Sequence, residues 1–235
     1  MQAARSRRFP IFPFTAKPGE TIGIIGGTGC GKSTLVNLIP RFYDVTSGNV
    51  VIDGNNVKEY PFSQLRKKVG MVPQQAVLFK GTIRDNMKWG KEDASEEEIQ
   101  RALSIAQASG FVKVSRRLKY HGKSGWRQSF RRTAPASYHS KSTGGDPEIL
   151  IMDDSASALD FATDAALRHA IHEQTKGMTV FIVSQRATSI KQADKILVLD
   201  DGELAGVGTH KELMESCEVY REICLSQLSE QEVNR

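Results

Sequence analysis

The sequence lacks any apolar run close to the ~18–20 residues that a helix needs to cross a bilayer, so we expect no membrane-spanning segment in this chain. Its first ten residues are basic, but they lack the apolar core and the small-residue cleavage site of a secretory signal. Cysteine is scarce, and the three thiols of Cys30, Cys217 and Cys224 have no metal-site spacing. This small, odd number argues against a disulfide framework and predicts a reduced, cytoplasmic protein.

Acidic residues are absent from two stretches that are rich in arginine and lysine. Residues 1–14 hold three arginines, and residues 113–145 hold nine lysines and arginines. The whole chain has a net charge of +5, and without these stretches it would be −7, so the remainder is an acidic protein. Basic runs can bind nucleic acid. Neither stretch has a recognised nucleic-acid-binding fold, and we expect no nucleic acid as a partner.

The 235 residues suffice for one globular domain, and strand-like segments alternate with helix-like segments along most of its length. Ser95 and Glu98 form a capping box before one amphipathic helix. This alternation predicts an α/β fold with a mostly parallel sheet covered on both faces. Strands are predicted at residues 21–25, 69–73, 148–152, 178–183 and 195–200, antiparallel strands within 48–58, and helices at 32–39, 161–174 and 209–228.

Residues 26–34, GGTGCGKST, lie between a predicted strand and a predicted helix and match the phosphate-binding pattern G-x-x-x-x-G-K-[ST]. Glycines let the backbone curl so that N–H groups point at phosphate oxygens, and the helix adds the positive end of its dipole. Lys32 can reach the β- and γ-phosphates of ATP, and the Ser33 hydroxyl can bind Mg²⁺. The alternative is a glycine-rich turn that binds no ligand. The predicted ATP-binding residues are Gly26, Gly27, Thr28, Gly29, Cys30, Gly31, Lys32, Ser33 and Thr34.

Asp153 directly follows the apolar run at residues 148–152. A carboxylate at the C-terminal end of such a strand can hold the Mg²⁺ shell opposite a P-loop. A lone aspartate after a strand is usually a cap or turn residue. Because a P-loop precedes it in the chain, we predict that Asp153 lies on the metal side of the ATP site.

Four further segments carry a family resemblance: RFYDVTSGNVVIDG, MVPQQAVLFKGTIRDNM, DDSASALD and VLDDGELAGVGTHKEL. With the P-loop and Asp153 they resemble the nucleotide-binding domains of ABC transporters, most closely those of bacterial exporters in which this domain follows the membrane helices. The resemblance covers about residues 15–112 and 146–235. It implies one ATP-binding domain over residues 1–235, with a P-loop NTPase (RecA-like) core at about 15–74 and 146–235, a small antiparallel β subdomain, and a helical subdomain at about 75–145.

The resemblance also implies roles by position. Gln74 would contact Mg²⁺ and the attacking water, so that Ser33, Gln74 and Asp153 are the metal-side residues. Residues 157–160 would form the loop that crosses a dimer interface. The implied partners are a second ATP-binding domain, in a heterodimer that sandwiches two ATP molecules, and transmembrane domains that this chain does not contain. Such a chain would lie at the cytoplasmic face of the cell membrane, or be soluble in the cytoplasm if alone, and would couple ATP to transport.

Two positions depart from the family pattern in the hydrolytic machinery. Asp154 stands where the family has a glutamate that polarises the attacking water, and Gln185 stands where it has a histidine. Glutamine can hydrogen-bond the γ-phosphate but cannot carry a proton or charge. Because hydrolysis depends on the placement of water, we expect impaired hydrolysis in this domain. The pair of substitutions resembles the degenerate site of heterodimeric exporters. The catalytic candidates are Asp154, Gln185 and Gln74. The alternatives are residual activity, a regulatory ATP-binding module that does not hydrolyse, and a non-functional truncated remnant.

The signature sequence of the family, of the type LSGGQRQR, is missing from residues 113–145. Residues 130–145 can be encoded by codons that spell SGGQRQRLTIARALVG in a shifted reading frame. Residues 9–14 can likewise be encoded by codons that spell SDISF, the family's usual sequence before FTAKPGE, in another frame. We therefore interpret residues 113–145 as the family's sequence translated in a shifted reading frame. We expect this segment to be irregular or poorly packed because it lacks an apolar helical face. The family's adenine-stacking aromatic residue would lie upstream of residue 1, so nucleotide affinity should rest mainly on phosphate contacts.

Overall fold

The computed structural model describes residues 14–74, 82–88, 93, 95–97, 99, 147–153 and 177–227. The chain forms two compact units, one from Met1–Phe62 and Phe181–Arg235 and the other from Ser63–Val180. In chain order, the elements are β1 (Thr21–Gly26), α1 (Lys32–Asn37), β2 (Val51–Ile52), β3 (Asn55–Asn56), α2 (Phe62–Lys68), β4 (Val69–Val72), α3 (Ile83–Lys88), β5 (Ile149–Asp153), β6 (Thr179–Val183), α4 (Ala187–Ile190), β7 (Lys195–Asp200), β8 (Glu203–Gly208), α5 (His210–Ser216) and α6 (Glu218–Gln227).

In the first unit, the strands lie in the order β6-β1-β7-β8. Only the C-terminal part of β6, from Phe181 onwards, belongs to this unit. β1 and β7 are parallel, with Ile22 opposite Lys195 and Gly26 opposite Leu199. Nine of the twelve residues of these two strands are buried, as expected for apolar strands in a parallel sheet with helices on its faces. β8 pairs with β7 in the antiparallel direction and closes the sheet on that side.

The predicted strands agree with the observed ones. Those predicted at 21–25, 69–73, 148–152, 178–183 and 195–200 are β1, β4, β5, β6 and β7, each within one residue at either end. The antiparallel strands predicted within 48–58 are the pair β2–β3. Parallel pairing of β1 with β7 and of β4 with β5, beside this small antiparallel pair, confirms the α/β fold with a mostly parallel sheet.

Strand β8 is missing from the predicted strands. The turn that joins it to β7 contains Asp201 and Gly202, whose φ angles are 42° and 91°. Positive φ at both central residues is typical of the type I′ hairpin turn, for which Asp-Gly is a preferred pair. An Asp-Gly pair after the apolar run of β7 is the sequence signal that indicates this strand.

In the first unit, α4 packs on β1, α6 packs on β7 and α5 packs on β8. Each large apolar side chain that leaves water contributes about 1.5–3 kcal/mol to folding, so this contact fixes the three helices on the sheet. The buried cluster consists of Ile25, Ala187, Ile190, Ala193, Ile196, Val198, Leu213, Cys217, Tyr220 and Cys224.

Two observed helices differ in extent from the predicted ones. The helix predicted at 32–39 ends as α1 at Asn37, because the N–H groups of Leu38 and Ile39 bond three residues back instead of four. The helix predicted at 209–228 is divided into α5 and α6, because Cys217 has an extended backbone with φ −120° and ψ 106°. A capping box between Thr209 and Glu212 begins α5.

In the second unit, β4 and β5 are parallel, with Val72 opposite Met152, and β5 neighbours β6. The helix predicted after Ser95 is supported by the Ile99 N–H, which donates to the Ser95 carbonyl at 3.1 Å, and by the burial of Ile99. Glu98 of that capping box, the helix predicted at 161–174, the dimer-interface loop at 157–160 and the segment 113–145 lie outside the described residues.

Candidate functional site

The P-loop, residues 26–34, connects the end of β1 to the start of α1 in the first unit. Gly29 and Gly31 have φ angles of 81° and 99°, a left-handed conformation that residues with a Cβ atom rarely adopt. Gly26 has no room for a side chain, because a Cβ atom there would lie 2.0 Å from the Leu199 carbonyl oxygen. Gly29 and Gly31 are thus required by the curled backbone, and Gly26 by its close approach to β7.

Lys32 is the first residue of α1, and its side chain is buried inside the P-loop. Its Nζ donates to the carbonyl oxygens of Gly26 at 2.8 Å and Gly27 at 2.7 Å, and it lies 3.6 Å from the Cys30 Sγ. Loop carbonyl groups therefore hold the ammonium charge in place, which limits the cost of its burial. A fixed positive charge beside the start of a helix suits an anionic ligand such as a phosphate.

The thiol of Cys30 is buried beneath the P-loop. A Cβ atom built on Gly26 would lie 2.7 Å from the Cys30 Sγ, so the sulfur packs directly against that glycine. The Cys30 side chain thus supports the loop from the protein side.

Gln185 lies in the switch loop, which we define as residues 184–186 between β6 and α4. Its side chain is exposed, and its Oε1 accepts a hydrogen bond from the Thr28 hydroxyl at 3.4 Å. The structure thus brings together Gln185 and the P-loop, which are 157 residues apart in the sequence.

The switch loop is fixed by hydrogen bonds of its backbone. The Ser184 N–H donates to the Ile24 carbonyl of β1 at 3.0 Å, and the Arg186 N–H donates to the Ser184 Oγ at 3.0 Å. The side-chain amide of Gln227, at the end of α6, donates to the Gln185 carbonyl at 2.8 Å and accepts from the Ala187 N–H at 2.9 Å. Sequence reasoning did not include Gln227, and no local pattern marks this exposed glutamine as a partner of a distant loop.

Asp153 and Gln74 belong to the second unit, at the C-terminal ends of two neighbouring parallel strands. Asp153 is the last residue of β5, and its side chain is 5% exposed. Gln74 is exposed and follows β4 by two residues. Because Val72 stands opposite Met152, both side chains lie at one edge of this strand pair. Asp154 lies outside the described residues.

A sequence profile of the family described as ABC transporter matches residues 11–136, more than half of the chain. The chain belongs to the ABC transporter family. The match includes the P-loop and Gln74, and it extends into the basic stretch at 113–145.

Known members of the ABC transporter family are similar over most of this chain. YfiB, an uncharacterized ABC transporter ATP-binding protein of Bacillus subtilis, is 42% identical over 224 residues, which cover 91% of this chain and 37% of that protein. YgaD of Bacillus subtilis, provisionally named a multidrug export ATP-binding/permease protein, is 40% identical over 215 residues, which cover 87% of this chain and 36% of that protein. The chain therefore spans a little over a third of the length of these relatives.

A solved structure has the same fold. It is a bacterial Atm1-family ABC exporter with ATP bound, 32% identical, with a TM-score of 0.82 over 91% of this chain and 38% of that chain. Together with the relatives, this likeness makes the chain an ABC nucleotide-binding domain of exporter type. Among the helices of the described part of the chain, none is long and apolar enough to span a bilayer.

Proposed function

We propose that this ABC domain binds MgATP at its P-loop and uses it to drive export through transmembrane domains. The observation that supports this proposal most directly is Lys32, whose charge is buried and held between the Gly26 and Gly27 carbonyls. Binding of a triphosphate would exchange these carbonyl contacts for phosphate oxygens and strengthen them, because hydrogen bonds between charged groups are stronger than those to neutral ones.

The residues that would hold Mg²⁺ are Ser33, Gln74 and Asp153, and they fit a hard cation because all three offer oxygen atoms. No cluster of three or more histidine, cysteine, aspartate or glutamate side chains that could hold a metal occurs in the described part of the chain. When bound, Mg²⁺ supplies neutralisation of the negative charge on the phosphates.

Hydrolysis is proposed to be slow in this domain, with Gln185 and Asp154 at the two substituted positions. Gln185 extends from the switch loop to the P-loop residue Thr28, so its amide is available to hydrogen-bond a bound phosphate. An amide cannot accept or release a proton at neutral pH, which limits Gln185 to holding and orienting. Asp154 is one methylene shorter than glutamate, which would displace its carboxylate from the attacking water.

The assembly that this proposal requires includes a second ATP-binding domain, in a heterodimer, and transmembrane domains at the cytoplasmic face of a membrane. Support comes from the relatives, one of them provisionally named an export ATP-binding/permease protein, and from the neighbouring exporter structure, which has ATP bound. A partner with an intact catalytic site would supply the turnover that this domain is proposed to lack.

The first experiment measures MgATP affinity of the purified chain and of Lys32→Ala by isothermal titration calorimetry. We expect the variant to bind about 10- to 100-fold more weakly, since a charge-assisted hydrogen bond contributes about 1.5–3 kcal/mol. Lys211→Ala, which removes an exposed lysine from the first turn of α5, is the matched control and should bind as the parent does. A folded parent chain without Mg-dependent ATP affinity would instead support the non-functional remnant.

The second experiment separates a slow ATPase from a non-hydrolysing regulatory module. Steady-state phosphate release is compared between the parent and the double variant Asp154→Glu/Gln185→His, each mixed with an excess of an exporter ATP-binding domain that carries an intact signature sequence. We expect at least a tenfold gain from the double variant, because a positioned acid–base group contributes roughly 10²–10⁴-fold. No gain, with unchanged MgATP affinity, would favour the regulatory module.

A further inference from the structure

The side chain of Gln227 bridges two backbone groups of one loop. Its Nε2 donates to the Gln185 carbonyl at 2.8 Å, and its Oε1 accepts from the Ala187 N–H at 2.9 Å. A carboxamide has one donor side and one acceptor side, as a peptide group has, so it can pair with residues i and i+2 as a neighbouring strand would. Glutamate could not make the donor contact, and an aliphatic side chain could make neither.

Ala187 is the first residue of α4, and its N–H group would otherwise be one of the unsatisfied donors of a helix start. The preceding residue, Arg186, makes no side-chain capping bond to α4. Gln227 therefore satisfies one donor at the start of α4, from a helix about forty residues further along the chain.

Helix α6 is itself fixed in the core. Tyr220 and Cys224 are fully buried in the cluster on β1 and β7, and they lie on the same face of α6 as Gln227 because the spacings are four and three residues. Gln227 is exposed, so its side chain contributes a positioned amide rather than core packing. The core thus determines where this amide stands.

The switch loop is also held by β1, because the Ser184 N–H donates to the Ile24 carbonyl at 3.0 Å. With these contacts in place, the loop directs the Gln185 side chain at Thr28 of the P-loop, where Gln185 Oε1 and Thr28 Oγ1 are 3.4 Å apart. Release of the Gln227 contacts would free the half of the loop that carries Gln185.

We propose that Gln227 is a positioning residue for the nucleotide site: it keeps Gln185 on Thr28 and thereby slows the release of bound MgATP. The effect on MgATP release rests on the proposed function, whereas the effect of Gln227 on the switch loop can be tested without nucleotide. Gln227 touches no reacting group and acts only through the switch loop.

The first test uses the ¹⁵N-labelled full chain without nucleotide. Gln227→Met keeps the length of the side chain but removes both hydrogen bonds, and Ser226→Ala changes the adjacent exposed residue as the control. We expect Gln227→Met to speed the hydrogen exchange of the Ala187 amide and to shift the Thr28 amide resonance. Gln185→Ala should shift the Thr28 resonance similarly, and the double variant no further. An unshifted Thr28 resonance in Gln227→Met, or additive shifts in the double variant, would overturn the proposal.

The second test measures the dissociation of MgATP by stopped-flow. Gln227→Met should release MgATP about threefold faster than the parent, in line with the loss of one net hydrogen bond, and Ser226→Ala should not. In the Gln185→Ala background, Gln227→Met should add nothing, because the effect passes through Gln185. Equal acceleration in both backgrounds, or none in either, contradicts the positioning role. If the parent binds no MgATP, the proposed function fails, while the Thr28 and Ala187 signals still decide the geometry.

Discussion

The P-loop and the switch loop follow neighbouring strands of the same sheet, but they hold their shapes by different means. The P-loop relies on its own glycines, since Gly29 and Gly31 have φ angles of 81° and 99°. The switch loop contains no glycine and depends on hydrogen bonds from β1, from Ser184 and from Gln227. One loop is specified locally, and the other is specified by the fold around it. The P-loop should therefore be sensitive mainly to substitutions within the loop itself. The switch loop should also be sensitive to substitutions in other parts of the chain.

The largest effect is expected for Gly26→Ala. The added Cβ would meet the Leu199 carbonyl oxygen at 2.0 Å, and a backbone atom of the central strand β7 cannot give way cheaply. We expect a loss of about 3 kcal/mol or more in the free energy of unfolding, measured by urea denaturation. Gly27→Ala is the matched control: a Cβ there has no neighbour within 4 Å, so stability should change by at most about 0.5 kcal/mol. Equal effects at both positions would show that the P-loop does not depend on this contact.

An intermediate effect is expected in the switch loop for Ser184→Ala. Ser184 is buried, and its Oγ accepts the Arg186 N–H at 3.0 Å. Removal of the acceptor leaves that donor without its bond and should cost about 1–2 kcal/mol in the free energy of unfolding. Ser216→Ala removes an exposed hydroxyl that bonds within its own helix, and it should cost less. If both variants unfold at the same urea concentration, the serine does not hold the switch loop.

The same contrast explains which parts of the molecule could be predicted from the sequence. The strands and the P-loop follow from neighbouring residues, because a β-branched run, a glycine or a following lysine acts within one turn or strand. The contacts of Gln227 depend on residues that are brought together only by packing. The Gln227 amide and the Gln185 carbonyl are 42 residues apart, and nothing in either local sequence indicates their pairing. Strand β8 was not predicted, although the Asp-Gly pair in the turn before it is a local sequence signal for a hairpin.

A smaller effect is expected from alkaline pH on helix α6, which carries Gln227. Burial raises the pKa of the Cys224 thiol, and this exceeds the opposing effects of its hydrogen bond to Tyr220 and of the charge on Lys191. The folded chain therefore keeps this proton to higher pH than the unfolded chain, whose thiol titrates near pH ~8.5. Stability linked to this thiol is fully present below that pH and is lost as pH rises towards the folded pKa.

We expect the free energy of unfolding to fall as the pH rises above about 8.5, with a slope below the ~1.4 kcal/mol per pH unit of one fully linked proton. Cys224→Ala should flatten this slope. Ile223→Val, which trims a partly buried neighbour and leaves the thiol in place, should lower stability at every pH and keep the slope. Parallel pH profiles of the parent and Cys224→Ala would rule out this thiol as the source.

The smallest effect is expected where the two loops touch. Thr28→Val replaces the hydroxyl by a methyl group of similar size and removes the 3.4 Å contact with Gln185, while the curled backbone of the P-loop remains. Both side chains are exposed, so water can replace the lost partner, and only about a twofold faster release of MgATP is expected, in line with a net hydrogen bond of about 0.5 kcal/mol. Thr28→Ser keeps the hydroxyl and should release MgATP at the parental rate. A larger increase in the MgATP release rate in Thr28→Val than in Gln227→Met would mean that Thr28 acts on the nucleotide by itself. The two loops would then contribute separately rather than through their contact.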